Sequence, residues 1–334
     1  MTTPERILII KSSSMGDIIH ALPVAHDIRR AFPQARIDWV AEESFRDIPT
    51  LAPAVANVRV TAFRRWRKSI LSGATRVEVA ALRAELEAEH YDCVLDIQGL
   101  MRSALVARWT GVPSIGYTWG TIREPLASLA YARHLNLPES LGAVRRYRMA
   151  AAEALGYSID PDRPVFGLRA SGTPPARAAG RTVSFAVNTS RDEKLWPEAR
   201  WIELGLALLA EGLTPILYWG GAAEEARAKR IALAIPGAIV APRARLSDVA
   251  AGLAQASLMV GVDTGLAHLA AALGCPSVGI FVATPTETLR LIGDGPCESL
   301  GGRGRCPSPA EALEAAHRVM AAAEAGRDAK ESDK

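Results

Sequence analysis

The strongest constraint on the fold is a regular alternation of short apolar runs with amphipathic helical segments. Residues 6–10 predict a short strand, because Ile7–Ile10 is a continuous apolar run rich in β-branched side chains, which is typical of a buried parallel strand. Apolar residues then recur at helical spacing from Ile18 to Phe32, and Pro33 is expected to end that helix. The same order restarts at residue 182, so the sequence predicts two α/β domains with parallel sheets and helical crossovers.

The length and a change in composition predict where these domains divide. A chain of 334 residues exceeds the usual size of one domain, and Pro, Gly, Ala and Arg become frequent before the second repeat. Ser308, Pro309 and Glu311 predict a capped last helix that ends near Ala323. We therefore predict an N-terminal domain at 1–165, a linker at 166–180, a C-terminal domain at 181–323 and a frayed tail at 324–334.

Charge and composition argue against several classes of protein. A net charge of +3 is too small for a dedicated nucleic-acid binder, so no nucleic-acid partner is expected. No apolar run reaches the roughly 18 residues that span a bilayer, and none resembles a signal peptide, which predicts a cytoplasmic protein. The four cysteines form no C-x-x-C pair, so we expect free thiols and neither a metal site nor a redox site.

The first strand–helix turn, at residues 11–17, contains a carboxylate where ligands bind in α/β sheets. It lacks G-x-G-x-x-G, and the chain has no P-loop, so the common nucleotide fingerprints are missing. Asp17 has two interpretations that the sequence leaves open. It either caps the helix or acts as a general base for a hydroxyl.

The second domain has a polar turn that suits a diphosphate. Thr189, Ser190 and Lys194 precede Pro197, which marks a helix start, so hydroxyls, a cation and free backbone N–H groups lie together. An ordinary polar loop explains the same residues.

Two further strand ends in this domain carry candidate ligand groups. Glu224 opens a helix after two glycines and suits ribose hydroxyls, although it is equally a normal first-turn acid. Asp263, Thr264 and Gly265 form the next such turn, and His268 lies one helical turn beyond. An aspartic protease needs two Asp-Thr-Gly loops, and this chain has one, so that class is excluded.

Basic residues concentrate in the first domain. Arg64, Arg65 and Lys68 surround Trp66, and Arg123 lies further along. Such a group is either solvated surface or a site for an acidic acceptor or an anionic membrane face.

Taken together, these motifs resemble the ADP-heptose:lipopolysaccharide heptosyltransferase family, and the K-x-S-S-x-G-D opening resembles its type I members. The matching segments follow in order along nearly the whole chain: residues 11–23, 39–43, 64–68, 96–100, 123–128, 191–197, 219–220 and 262–268.

The resemblance implies an α/β protein of the GT-B fold, with two Rossmann-like domains whose parallel sheets face each other across a cleft. It implies an inverting transfer of heptose from ADP-heptose to the inner Kdo of Kdo2-lipid A, in lipopolysaccharide core synthesis. No metal and no cofactor are implied, and the enzyme would associate peripherally with the cytoplasmic face of the inner membrane.

The resemblance also assigns roles to individual residues. Asp17 would be the general base, and Lys194 would stabilise the departing diphosphate. The donor would be bound by Thr189, Ser190, Lys194, Glu224, Asp263, Thr264, Gly265 and His268. The acceptor would be bound by Ser14, Gly16, Arg64, Arg65, Lys68 and Arg123.

Some positions depart from the family pattern. Asn188 stands where a histidine is expected, Ser190 replaces a threonine, and residues 283–286 replace a G-P-T-x-P turn. The nearest alternative is a related core glycosyltransferase, such as a type II heptosyltransferase, with a different acceptor or donor sugar. An NAD-dependent oxidoreductase should show G-x-G-x-x-G, and a two-lobed sugar-binding protein is usually exported.

Overall fold

The computed structural model describes residues 3–284 and 286–332, without the side chains of 287, 288 and 330–332. The chain divides into two compact units, Met1–Gly167 and Leu168–Lys334. Within the described residues, each unit contains one six-stranded sheet in which all strand pairs are parallel. The predicted α/β fold class is therefore confirmed.

The N-terminal unit alternates strands and helices in chain order. Its elements are β1 (Arg6–Ile10), α1 (Met15–Ala21), α2 (Pro23–Ala31), β2 (Arg36–Glu42), β3 (Val55–Thr61), α3 (Phe63–Trp66), α4 (Gly73–Ala88), β4 (Cys93–Asp96), α5 (Met101–Trp109), β5 (Ser114–Tyr117), β6 (Arg133–Leu135) and α6 (Ala143–Leu155). The sheet order is β3-β2-β1-β4-β5-β6. Short 3-10 helices lie at Glu43–Phe45, Pro49–Leu51, Pro125–Ala130 and Glu139–Leu141.

Strand β1 lies inside this sheet, between β2 and β4. Its four residues from Ile7 to Ile10 have no solvent exposure, as expected for a strand with both faces covered. Ile7 pairs with Ile37 on one side and with Cys93 on the other. The burial of β1 therefore fixes the position of the turn that follows it.

The first helical segment differs from the prediction of one helix up to Pro33. The structure has two helices, α1 and α2, with Leu22 between them. Pro23 is the first residue of α2, where its missing N–H costs little, whereas within a continuous helix it would remove a hydrogen bond. The break allows α1 to end after two turns.

The C-terminal unit repeats the alternation. Its elements are β7 (Arg181–Ala186), α7 (Glu198–Ala210), β8 (Leu213–Leu217), α8 (Ala222–Leu233), β9 (Ile239–Val240), α9 (Leu246–Gln255), β10 (Leu258–Val262), α10 (Gly265–Ala272), β11 (Ser277–Phe281), α11 (Thr286–Leu289), β12 (Cys297–Gly301) and α12 (Pro309–Ser332). The sheet order is β12-β11-β10-β7-β8-β9, and a 3-10 helix lies at Asp192–Lys194. The rings of Phe185, Trp196 and Trp201 pack together in the core, with centroids 5.0 and 5.1 Å apart.

The last helix begins as predicted and ends later. Glu311 and Ser308 exchange hydrogen bonds in the predicted capping box. Helix α12 then continues to Ser332, so the prediction that this helix ends near Ala323 is wrong for the described residues. The segment from 321 contains alanine, glutamate, arginine and lysine, which are strong helix formers.

Residues 157–180 contain no helix or strand, and they connect α6 to β7. All four cysteines are free thiols. Among the described residues, no helix is both long enough and apolar enough to cross a membrane.

A buried polar network fastens β2 to its neighbours. Asp38 has no exposed surface and accepts hydrogen bonds from Arg59 (2.8 Å), Asn57 (3.0 Å) and Tyr91 (2.8 Å). Burial alone would raise the pKa of Asp38, but these donors outweigh it and hold the pKa below its usual value. The carboxylate is therefore ionised and paired in the folded protein.

We expect Asp38→Ala to lower the free energy of unfolding by about 3 kcal/mol, because it leaves buried donors without their partner. Asp162→Ala, which breaks the exposed pair with Arg145, should cost less than about 1 kcal/mol. Denaturant unfolding at pH 7 measures both changes.

The same network predicts a pH dependence. Because the folded-state pKa of Asp38 is lowered, its stabilisation is present above the ordinary carboxyl pKa of about 3.9 and is lost as the pH falls through the folded-state value. The difference between wild type and Asp38→Ala should therefore shrink in acid. A difference that is unchanged at pH 3 would contradict the assignment.

Candidate functional site

Asp17 lies in the first turn of α1, just beyond the carboxyl end of β1. Its Oδ2 accepts hydrogen bonds from the Ser14 backbone N–H at 3.1 Å and from the Ser14 hydroxyl at 2.7 Å. Ser14 is the N-cap residue, so Asp17 completes a capping box. Asp17 therefore caps the helix through one of its two carboxylate oxygens.

The other oxygen of Asp17 faces different groups. The Tyr147 hydroxyl lies 3.4 Å from Oδ1, and the Lys11 ammonium lies 3.9 Å from the same atom. The Asp17 side chain remains 33% exposed, whereas that of Lys11 is only 4% exposed. A ligand in solvent can therefore reach the carboxylate while its charge partner stays buried.

Electrostatics keep Asp17 ionised. Burial on its own would raise the pKa of Asp17, but the Lys11 charge and the Ser14 hydrogen bonds outweigh it and lower the pKa. Burial also lowers the pKa of Lys11 to about 8, although Asp17 and Asp96 partly offset that effect. Near neutral pH the site therefore contains an anionic Asp17 beside a buried ammonium that loses its proton in mildly alkaline solution.

A second turn supports the Asp17 turn from the side. The Gln98 side-chain oxygen accepts hydrogen bonds from the backbone N–H groups of Ser12 (3.0 Å) and Ser13 (3.1 Å). The Gln98 backbone is held in turn by Asp96, which is fully buried at the end of β4. Arg102 donates to the Ser13 hydroxyl at 2.9 Å. Because β4 pairs with β1, these contacts fix the turn that carries Ser14 and Gly16.

The basic residues divide into paired and unpaired side chains. Arg65 forms ion pairs with Glu43 (3.1 Å) and Glu78 (2.9 Å), so its charge is largely neutralised. Arg64 lies over the Phe45 ring, 5.0 Å from its centroid, and is exposed. Lys68 is also exposed, and within the described residues neither Arg64 nor Lys68 forms an ion pair. The structure therefore leaves Arg64 and Lys68 free for an anion and occupies Arg65.

Arg123 lies in the segment after β5 and is exposed. Its charge contributes to the lowered pKa of Lys11, so the two cations lie in the same part of the unit. The N-terminal unit thus combines one accessible carboxylate with several accessible cations.

In the C-terminal unit, Asp263 is the centre of a compact cluster at the end of β10. Its Oδ2 lies 2.5 Å from the Lys194 ammonium and accepts a hydrogen bond from the Thr284 hydroxyl at 2.7 Å. The His268 Nε2 lies 3.8 Å from Oδ1. The Thr189 hydroxyl donates to the Asp263 backbone oxygen at 2.9 Å. Residues from three separate turns therefore meet at one carboxylate.

This cluster lies at the start of α10, whose N-cap is Thr264 and whose first residue is Gly265. Free backbone N–H groups and the positive end of the helix dipole favour an anion there. Burial would raise the pKa of Asp263, but hydrogen bonds from His268, Lys194 and Thr284 outweigh it and hold the pKa far below its usual value. Lys194 is thus held next to a helix N-terminus, which is suitable for a phosphate group.

The remaining predicted donor residues lie on neighbouring turns. The Glu224 carboxylate accepts a hydrogen bond from the Gly220 backbone N–H at 2.7 Å, within the turn after β8. The Asn188 side chain donates to the backbone oxygens of Tyr218 (3.5 Å) and Glu224 (3.4 Å), so this residue links two turns. Ser190 lies in the turn after β7 with no hydrogen bond among the described residues.

Three residues of these clusters were not predicted as site residues: Lys11, Tyr147 and Thr284. Lys11 followed a buried strand, which was a signal that its ammonium would face the strand-end turn. Tyr147 comes from α6, far away in sequence, and no local signal exists for it. Thr284 belongs to the unusual turn at 283–286, of which Pro285 lies outside the described residues.

Among residues 3–284 and 286–332, no group of three or more His, Cys, Asp or Glu side chains is arranged to hold a metal ion.

The chain as a whole is similar to known proteins of one family. The model of glycosyltransferase family 9 (heptosyltransferase) matches residues 79–301. Lipopolysaccharide heptosyltransferase 1 of Escherichia coli K12 is 41% identical over 311 residues, which cover 92% of this chain and 95% of that protein. Lipopolysaccharide heptosyltransferase 1 of Pseudomonas aeruginosa is 40% identical over 280 residues, which cover 84% of this chain and 79% of the relative.

The solved structure of E. coli heptosyltransferase WaaC with ADP matches with a TM-score of 0.82 and 40% identity, covering 89% of this chain and 94% of WaaC. WaaC with ADP-2-deoxy-2-fluoro heptose matches with a TM-score of 0.80 and 38% identity, covering 94% and 98% respectively. The similarity therefore extends over both compact units.

We expect Lys11→Met to raise the pKa of the Asp17 carboxyl, because the variant removes the nearest positive charge and keeps a side chain of similar volume. Carboxyl ¹³C NMR of aspartate-labelled protein measures this pKa. Lys11→Arg retains a cation and is the matched control. An unchanged titration of Asp17 in Lys11→Met would contradict the electrostatic role of Lys11.

Proposed function

Because this chain belongs to glycosyltransferase family 9, the heptosyltransferases, we propose that it transfers L-glycero-D-manno-heptose from ADP-heptose to the inner Kdo of Kdo2-lipid A. The observation that carries the proposal is the 41% identity with a lipopolysaccharide heptosyltransferase 1 over 92% of the chain. The ligands named for the two WaaC structures, ADP and a fluorinated ADP-heptose, support the choice of donor.

Asp17 is the general base in this proposal. A Kdo hydroxyl attacks the anomeric carbon of heptose, the bond from that carbon to the diphosphate oxygen breaks, and the hydroxyl proton passes to Asp17. A carboxylate with a lowered pKa is a weak base, but it is fully ionised at neutral pH. It accepts the proton late, when the attacking oxygen has become acidic through bonding to carbon. One displacement with one carboxylate gives inversion at the anomeric carbon.

Lys194 and the start of α10 bind the donor diphosphate. The ammonium is already held beside Asp263, so little side-chain entropy is lost when it contacts a phosphate oxygen. As the ADP leaves, negative charge grows on the diphosphate, and a fixed cation together with helix N–H groups stabilises it. Thr189, Ser190, Thr264, Gly265 and His268 complete this donor site, and Glu224 binds the ribose hydroxyls.

The exposed cations Arg64, Lys68 and Arg123 bind the carboxylate and phosphate groups of the acceptor, with Ser14 and Gly16 next to the reacting hydroxyl. Arg65 is assigned a supporting part here, because its pairs with Glu43 and Glu78 hold the segment that carries Arg64. A lipid-linked acceptor also places the enzyme in the cytoplasm at the inner face of the inner membrane, as a peripheral protein.

The direct test is incubation of the protein with ADP-heptose and Kdo2-lipid A, followed by mass spectrometry of the lipid. We expect the mass of one heptose to be added, both with and without EDTA. Acceptors that already carry one heptose provide the comparison. Transfer only to those acceptors would exclude this assignment and favour a later step of core assembly.

We expect Asp17→Asn to reduce kcat by about 10²- to 10⁴-fold, the usual contribution of a general base. Asparagine retains an oxygen that accepts the Ser14 hydrogen bonds, so this variant removes basicity and keeps the helix cap. Affinity for ADP-heptose, measured by calorimetry, and the unfolding temperature should stay close to wild type. If turnover is retained, Asp17 is only a cap.

We expect Lys194→Met to weaken donor binding and turnover together, each by about tenfold or more, because a charge-assisted hydrogen bond contributes about 1.5–3 kcal/mol. Steady-state kinetics with varied ADP-heptose measure both effects. Lys229→Met is the matched control, since Lys229 is an exposed lysine of α8 paired with Glu225. Equal kinetics for the two variants would remove Lys194 from the donor site.

A further inference from the structure

Exposed apolar side chains of the N-terminal unit concentrate along one edge of its sheet. Besides Val77 on α4 and Val165 after α6, the described residues of this unit include seven such side chains, which lie in the segments that follow three strands and whose exposure ranges from 45% to 79%. These side chains are Ile70 and Leu71 after β3, Met101 and Leu105 after β4, and Trp119, Leu126 and Leu129 after β5. Because the strands are parallel, all three segments begin at the carboxyl edge of the sheet, where Asp17 also lies. We call these seven side chains the carboxyl-edge rim.

The C-terminal unit has no comparable group among its described residues. Its exposed large apolar side chains are Leu206 on α7 and Leu233 on α8, away from the strand ends. Scattered single apolar residues of this kind are normal on protein surfaces, whereas a group along one edge indicates a contact surface.

The first part of the rim is a turn with both ends anchored. Trp66 is buried, and its indole N–H donates to Glu78 at 2.8 Å. At the other end, the Ser72 hydroxyl caps α4 by accepting the Thr75 backbone N–H at 3.2 Å. Backbone hydrogen bonds from Ser69 to Trp66 and from Ser72 to Ser69 close the turn between them. Ile70 is therefore presented to solvent by a hydrogen-bonded turn.

The second part is formed by α5 and the 3-10 helix Pro125–Ala130, which pack against each other. The Met101 backbone N–H donates to the Glu124 carboxylate at 2.6 Å and joins the two elements. Within the 3-10 helix, Ala127 and Ser128 are buried, while Leu126 and Leu129 face outward. This segment is therefore amphipathic, with its apolar outer face open to solvent.

The charges along the rim are mainly positive. Arg64, Arg67, Lys68 and Arg123 are exposed, and no ion pair involves them within the described part of the chain. The nearby acidic groups are occupied, since Glu43 and Glu78 pair with Arg65 and Glu124 accepts from Met101. An occupant of this surface must therefore combine negative charge with an apolar interior.

We propose that the carboxyl-edge rim docks on the surface of an anionic lipid bilayer. The apolar side chains enter the boundary between head groups and acyl chains, and the flanking cations contact lipid phosphates. The surface is a line of separate side chains on three segments rather than a groove, which suits a fluid lipid interface. The inference rests on the proposed function only in that a lipid-linked acceptor would be reached from the same edge as Asp17.

The test measures binding to vesicles that contain no acceptor. Wild-type protein is mixed with vesicles of phosphatidylethanolamine and phosphatidylglycerol, or of phosphatidylcholine alone, and binding is measured by flotation. We expect stronger binding to the anionic vesicles and a loss of that preference in 1 M NaCl. Equal binding to both compositions would contradict the role of the cations.

The apolar contribution is tested with the quadruple variant Ile70→Ser, Leu71→Ser, Leu126→Ser and Leu129→Ser. Its partition onto anionic vesicles should fall by about tenfold or more, since each aliphatic side chain contributes when it leaves water. The matched control is Leu206→Ser with Leu233→Ser, which should bind as wild type does. Binding of the quadruple variant at the wild-type level would overturn the proposal.

A fluorescence measurement detects contact between lipid and the carboxyl-edge rim while the aliphatic side chains of the rim are unchanged. Lipids brominated on their acyl chains should quench part of the tryptophan emission, and Trp119→Phe should remove that quenched part. Quenching that is unchanged in Trp119→Phe would place the lipid contact elsewhere and would contradict this surface.

Activity assays separate this inference from the proposed function. With a deacylated, water-soluble acceptor, the quadruple variant should keep the wild-type kcat/KM, and with acceptor embedded in vesicles it should lose several-fold. The bilayer proposal fails if wild-type protein does not bind acceptor-free vesicles and the quadruple variant loses affinity only for the acylated acceptor. In that case the rim binds the acyl chains of the acceptor itself. If wild type binds vesicles but transfers no heptose, the proposed function fails instead.

Discussion

The arrangement of the whole molecule depends on the burial of apolar strands in two parallel sheets. A parallel sheet needs helices on both faces, and every connection returns from the carboxyl end of one strand to the amino end of another. The carboxyl ends therefore lie along a single edge, where polar turns are free of core packing. Asp17 follows β1, which is entirely apolar from Ile7 to Ile10, and Asp263 follows β10, which is fully buried. Each turn thus follows a strand that is held in place by a buried core.

Asp17 and Asp263 have similar electrostatic surroundings but differ in how exposed they are. Both have a lowered pKa despite burial, because a lysine and several hydrogen-bond donors outweigh desolvation. Asp263 is only 10% exposed and directs Lys194 toward a helix start, so its charge organises a cation. Asp17 is 33% exposed and its partner Lys11 is buried, so its own oxygen remains open to a ligand. In the first pair the carboxylate is more exposed than its lysine, which leaves the Asp17 oxygen able to accept a proton from a ligand. In the second pair both side chains are nearly buried, and Asp263 holds Lys194 in position.

Much of the fold was predictable because its signals are local. The strands at residues 6–10 and 258–262, the cap at Ser308 and the two-domain α/β class follow from apolar runs, capping residues and length. Short edge strands such as Arg133–Leu135 and Ile239–Val240 were not predicted, because two or three residues are too few to show the hydrophobic pattern of a strand. The break at Leu22 was missed because apolar spacing continues across it, and the end of α12 because helix propensity persists without a stop signal.

For the site, the sequence determined which chemical groups follow the strands: a carboxylate at 17, a lysine at 194 and an Asp-Thr-Gly turn at 263. Residue type and distance from a strand end are properties of the local chain. Only the tertiary structure decided their partners. Tyr147 meets Asp17 across 130 residues, Thr284 joins Asp263, and Glu43 with Glu78 neutralises Arg65 and leaves Arg64 exposed. The energy of a charge depends on the groups within a few ångströms of it, and those groups come from elements that only folding brings together.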